Sequence, residues 1–213
     1  MNTNKMNSDF SPTKLHSLML LILNYLNREF GKIEFAKLIY LIDAEAIELL
    51  GAPISEDGYT RQERGPLVNQ FYNALRDMLG HEIELERTIS IGFSSFGKHA
   101  LRPGKDPRFE PNLSEVEIVL AQKVLDRLAN LSPRELEEEA YNTEPMKAIL
   151  ELEKSIGSKA QGTDLDMSLI KKDEGLARWQ KNVAKLKQVK DRDYEKFIRA
   201  ERAETRKFIE AKG

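Results

Sequence analysis

The chain has 213 residues, 32% of them charged, and a formal net charge of -2. That length suits one ordinary domain with an appendage, or two small domains; a body of about 150 residues buries roughly 70% of the surface its unfolded chain exposes, so it needs no staples. There is no cysteine, which excludes disulfides, thiolate metal ligands and thiol nucleophiles and fits a reducing compartment.

The longest apolar run, Leu18 to Leu23, is far shorter than the roughly 20 residues of a membrane span. Met1 to Phe10 is polar and lacks the apolar core of a signal peptide, so a cytoplasmic protein without membrane contact is expected.

Ser11-Pro12 has the form of an N-cap with proline at the first helical position. Leu15, Leu18, Ile22 and Leu26 then predict a helix from Pro12 to Phe30, ended by Gly31. Phe35, Leu38, Ile39, Ile42, Ala46 and Leu49 form one apolar face at helical spacing, predicting a second helix from Glu34 to Leu50 with Gly51 as its stop. Ala52 to Arg64 is expected to be a polar loop. Gly65-Pro66 is expected to open a third helix with Phe71, Leu75 and Met78 on its buried face.

Ile83 to Ile91 alternates and is rich in β-branched residues, so it predicts a strand. A turn at Gly92 to Gly97 and a return strand at Lys98 to Arg102 complete a hairpin. Pro103 to Asn112 is expected to be irregular. Ser114 with Glu117, and Ser132-Pro133 with Glu135, are capping boxes that start two further helices. Pro145 interrupts the second of these. Ser155 to Thr163 has linker composition, and the remainder is strongly helical.

The charge is unevenly spread. Lys171 to Gly213 carries 14 Lys or Arg against 8 Asp or Glu, which leaves 19 against 27 in the first 170 residues. An acidic body with a basic tail can attract itself or steer a partner. The tail's positives are interleaved with acids such as Asp191, Asp193 and Glu195, which dilutes a phosphate-binding field and argues against nucleic acid. Leu176, Trp179, Val183 and Leu186 follow 3-4-3 spacing, and Phe197 continues the stripe. Trp179, Val183, Leu186 and Phe197 are therefore candidate contacts, docking on a partner or forming a coiled-coil-like homodimer.

No catalytic set emerges. The three histidines lie far apart, and zinc, phosphate-loop and dinucleotide motifs are absent, so no catalytic residue, metal or cofactor is expected. Two polar groups stand out. Lys37, Tyr40 and Asp43 are three apart and form a row on one helix face: a polar binding surface, or a local ion pair with Tyr40 half-buried. Tyr59, Arg61, Arg64, Gly65 and Pro66 form a corner at the expected helix start, where free backbone N–H groups and two arginines suit an anion or a partner. The alternative is that Arg61 or Arg64 bonds Asp43 or Asp57 and simply fixes the loop.

Lys37-Leu38-Ile39-Tyr40-Leu41-Ile42-Asp43, followed by Gly51-Ala52-Pro53, Asp57-Gly58-Tyr59 and Arg64-Gly65-Pro66-Leu67-Val68, resembles the Panacea (SocA-like) antitoxin domain family. Phe71, Tyr72 and Leu75 fit as well. The likeness runs from about Pro12 to Leu150 and is weaker in its second half, where Tyr141 and Met146 replace the family's histidine and tryptophan.

The resemblance implies a non-enzymatic antitoxin that neutralises a cognate protein toxin by contact. One relative acts as an adaptor to a cytosolic protease, and such domains occur in chromosomes and phages. Two other functions stay open: a phage or mobile-element protein that binds a host factor, and a small-molecule enzyme using Asp43, Tyr59 and Arg64. The expected architecture is mainly α: a compact helical domain with one small β-hairpin over residues 1–157, then a linker and amphipathic helical tail over 158–213.

Overall fold

The computed structural model describes residues 10–88 and 98–171. The architecture is mainly α, as expected. Six α-helices among the described residues, numbered in chain order, are α1 (Lys14–Leu26), α2 (Lys32–Leu50), α3 (Phe71–Met78), α4 (Glu115–Leu128), α5 (Pro133–Tyr141) and α6 (Glu144–Ile156). The candidate residues Trp179, Val183, Leu186 and Phe197, and the Gly92 to Gly97 turn, lie outside the described residues.

α2 is the hub. Phe35 to Asp43 is buried at every position, so this stretch has no solvent face. It packs on α4, α5 and the second hairpin, while α1 packs on α3 and α4. The single apolar face expected from periodicity is therefore only part of what α2 buries, and Lys37, Tyr40 and Asp43 turn inward with it. Gly51 ends the helix in the left-handed region at φ 85°, donating its N–H to Ala46 and Ile47 carbonyls.

α1 is shorter than predicted. Its cap is Thr13, not Ser11, and Asn27 stops it in the left-handed region at φ 44°. Phe30 is released from the helix and buried in a two-residue strand, β1 (Phe30–Gly31). β1 pairs with β5 (Lys98–Pro103), which pairs antiparallel with β4 (Ile83–Thr88), giving the order β1-β5-β4. The predicted hairpin is thus present in its described part, with a third strand on its edge.

The α1 cap is unusual because an imidazole occupies the third helical position. The Thr13 N–H donates to His16 Nδ1 at 3.0 Å, while the His16 N–H donates to Thr13 Oγ1 at 3.4 Å. An acceptor at Nδ1 requires the neutral ring. Burial among Phe10, Phe109 and Arg108 lowers the His16 pKa, against the opposing charges of Asp77 and Glu82. Folding therefore favours neutral His16. Its contribution is complete above the ordinary value of 6.5 and falls away as pH drops from there toward the lowered folded value. His16→Gln should keep the cap but lose this slope, which denaturant midpoints measured across pH 5 to 7 on both chains will read as converging curves at low pH.

The largest difference from the sequence reading lies at residues 59–68. The expected loop and helix start are a second hairpin, β2 (Tyr59–Gln62) with β3 (Gly65–Val68), in which Arg61 faces Pro66 and Gln62 faces Gly65. Gly65 has φ +114°, which no helix residue adopts. Pro66 lacks an N–H to donate, and this short ladder accommodates it. The third helix starts only at Phe71, where the Gln70 N–H donates to Asp57 at 2.8 Å.

Both capping boxes form as predicted, at Ser114 with Glu117 and Ser132 with Glu135. Pro145 does not kink a helix; it opens α6 near its N-terminus after the Thr143 cap. The stretch with linker composition, Ser155 to Thr163, begins as the last turn of α6 and ends against β2. Arg61 N–H donates to the Thr163 carbonyl at 2.8 Å, Gly162 N–H to Arg61 at 2.7 Å and Leu165 N–H to Tyr59 at 2.8 Å. Ala160 and Leu165 are buried there.

Candidate functional site

The polar row of α2 and the corner at residues 59–66 meet inside the protein. Asp43 is wholly buried, and its carboxylate receives four donors. Oδ1 accepts the Ile54 and Ser55 N–H groups at 2.8 and 3.1 Å. Oδ2 accepts the Tyr59 hydroxyl at 2.6 Å and the Ser55 hydroxyl. Burial pushes the Asp43 pKa up to about 6, while these donors hold it down. At neutral pH the group is an anion whose lone pairs are all in use. It pins the loop after α2 to the helix.

Tyr40 and Tyr59 pack edge to face with ring centroids 5.0 Å apart. The Thr143 hydroxyl donates to the Ala140 carbonyl at 2.8 Å, so Tyr40 is the donor in its 2.6 Å bond to Thr143. Burial raises both phenols, Tyr40 to about 12 and Tyr59 well above its usual value, with the Asp43 charge adding to Tyr59. Both stay protonated and act as donors.

Arg61 does not reach Asp43 or Asp57. Its buried guanidinium bonds Glu153 of α6, Nε to Oε1 at 2.9 Å and Nη2 to Oε2 at 3.5 Å. It also donates to the Tyr141 hydroxyl at 3.1 Å and to the Gln62 carbonyl. Asp57 instead receives the Gly58 and Gln70 N–H groups. Tyr141 lies over Gly65. A Cβ there would sit 3.2 Å from its ring. Gly65→Ala should cost about 1–3 kcal/mol through the positive φ alone, read as a lowered denaturant midpoint, with the Tyr141 contact adding to it.

Only part of the predicted set reaches the surface. A groove of about 340 Å³ lies between the start of α2 and the β2–β3 turn, and its lining includes Lys37, Arg64, Gly65 and Pro66. Lys37 is on the floor, 3% exposed, with Nζ 3.4 Å from Glu137 of α5. Burial lowers its pKa, opposed by that carboxylate. Arg64 is exposed on the rim.

The predicted helix N-terminus at this corner does not exist, so no helical N–H groups serve an anion there. Lys32, Ile33 and Tyr72, which sequence reasoning did not single out as site residues, also line it. Their signal was available in part: Tyr72 is an aromatic at a position off the apolar stripe of α3.

A larger concavity of about 640 Å³ lies among α2, α4 and the α5–α6 junction. Its Arg127 is spent on Glu45 and Glu139, at 3.2 and 3.4 Å. Asp43, Tyr59 and Arg61 line neither concavity. No cluster of histidine, aspartate and glutamate suited to a metal ion occurs among the described residues. No helix among them is long and apolar enough to cross a membrane.

The body is mainly helical, with Asp43, Tyr59 and Arg61 committed to internal bonds beside a small charged groove. Residues 35–145, just over half of the chain, match the family described as antitoxin SocA-like, Panacea domain, and the chain belongs to that family. No curated relative and no solved structure matches it.

Proposed function

We propose that this protein is an antitoxin that neutralises a cognate protein toxin by direct contact and carries out no chemistry of its own. Family membership carries the reading. The internal bonding of the polar residues supports it. Of Asp43, Tyr59 and Arg64, the groups an enzyme would use here, Asp43 and Tyr59 are bonded to each other and line neither concavity, so only Arg64 stands at a groove. The groove at Lys32, Arg64 and Tyr72 is the surface this antitoxin offers, alongside the tail stripe of Trp179, Val183, Leu186 and Phe197.

Co-expression with the product of the adjacent gene tests the proposal. Growth should stop with that gene alone and resume with this chain, and the two proteins should co-purify. Toxicity that persists in the presence of this chain sinks the claim. Delivery to a protease is separable from simple blocking: an adaptor shortens the toxin's half-life in cells, whereas a blocker leaves it unchanged.

A further inference from the structure

We propose that the groove between α2 and the β2–β3 turn holds an acidic, partly apolar segment of the protein partner; this deepens the antitoxin proposal and rests on it for the partner's identity. The groove is a positive spot on a negative body. The first 170 residues hold 19 basic against 27 acidic residues, yet Lys32, Lys37 and Arg64 converge here against Glu63. Lys37 shares Glu137, but Lys32 and Arg64 form no ion pair among the described residues.

The same lining is apolar between the charges. Tyr72 is 62% exposed and Ile33 40%, the former the most exposed large hydrophobic residue described, and Leu67 is half-buried beside them. Exposed aromatic and cationic groups around a concave floor are the composition of an interface hot spot. Cations that have no carboxylate of their own accept one from a partner without breaking an existing pair, which avoids the penalty of leaving a charge unpaired.

The shape restricts the occupant. At about 340 Å³ the groove takes side chains of a segment, not a folded element. β2 is paired on both sides, with β3 and with the 163–165 segment, so it offers the occupant no open edge of its own. Nucleic acid would use the cations but not the flanking Ile33 and Leu67.

Binding of the full-length chain to the toxin identified above should weaken at least about tenfold in Arg64→Glu, in Lys32→Glu and in Tyr72→Ala. It should be unchanged in Lys105→Glu, an exposed cation away from the groove. A partner Glu→Lys change should restore affinity to Arg64→Glu. Unaltered binding in all three groove variants overturns the inference while leaving the antitoxin proposal standing. Equal binding of a short single-stranded oligodeoxynucleotide, lost in the same variants, overturns it in favour of nucleic acid.

If the chain rescues no toxin, the antitoxin proposal fails by itself. The groove is then tested on isotope-labelled full-length protein with a peptide alternating Glu and Leu. Amide shifts at Lys32, Ile33, Arg64 and Tyr72 that its Lys-Leu counterpart does not cause support the inference. No shifts, or the same shifts with both peptides, refute it.

Discussion

Asp43→Ala should lower unfolding free energy by about 3–5 kcal/mol, a large share of the roughly 5–15 kcal/mol that keeps a typical domain folded. The reason is the number of donors left behind. Two hydroxyls, those of Ser55 and Tyr59, can turn toward other acceptors, but the Ile54 and Ser55 N–H groups cannot. Each buried donor left unpaired costs about 1–3 kcal/mol.

Asp43→Asn separates charge from geometry. Its carbonyl can still accept the two N–H groups, while its amide faces hydroxyls that must reverse, so the loss should be smaller.

The pH profile adds a sign. Folding raises Asp43 from 3.8 to about 6, so the folded state holds the proton more tightly. This contribution is full below 3.8 and is lost as pH rises through about 6. Asp43→Asn should remove that decline, visible as a difference between the two unfolding curves over that window. It opposes the His16 effect, which destabilises as pH falls from 6.5. An Asp43→Ala chain as stable as the parent would refute the account of this cluster.

Arg61→Met should cost about 3 kcal/mol or more. The change removes a guanidinium that is 3% exposed and leaves Glu153, 13% exposed, with only the Ala160 N–H as a strong partner. Breaking a buried pair from one side costs more than the pair contributes, because the survivor keeps its desolvation penalty. The double change Arg61→Met with Glu153→Leu should therefore recover most of the loss. Urea unfolding of the three chains tests this. A double variant no better than Arg61→Met would mean that Arg61 works mainly through Tyr141 and the Gln62 carbonyl. Hydrogen exchange should also quicken at Gly162 and Leu165, whose N–H groups bond the strand that Arg61 anchors.

The sequence disclosed the helices well where a signal was local. Capping boxes at Ser114 and Ser132 form as expected because both partners lie within one turn. The core positions Phe35, Leu38, Ile42, Phe71 and Leu75 are buried as predicted. The β2–β3 hairpin escaped because Gly65-Pro66 has the look of a helix opening, and only the +114° φ of Gly65 decides otherwise.

Spacing singled out Lys37, Tyr40 and Asp43 but not what packs against them. Lys37, Tyr40 and Asp43 share a helix face, yet whether that face meets water depends on what packs over it. Their partners, Glu137, Thr143 and Ser55, come from positions that no local spacing marks. A polar row on a helix buried all round looks the same in sequence as one on a surface.

The pairing of Arg61 with residues 162 and 163 has a consequence for the order of assembly. Joining these positions closes a loop of about a hundred residues, an entropy cost that must be met before the bond returns anything. Until then β2 has one neighbour, and the turn that carries Arg64 hangs from a two-stranded ribbon, which is marginal alone. A ribosome still making α6 therefore holds a chain whose core helices can dock but whose groove is unfinished; Gln161, part of its lining, has yet to arrive. The groove is expected to mature last, so a chain interrupted before residue 160 would hold nearly all of the core helices without a finished groove.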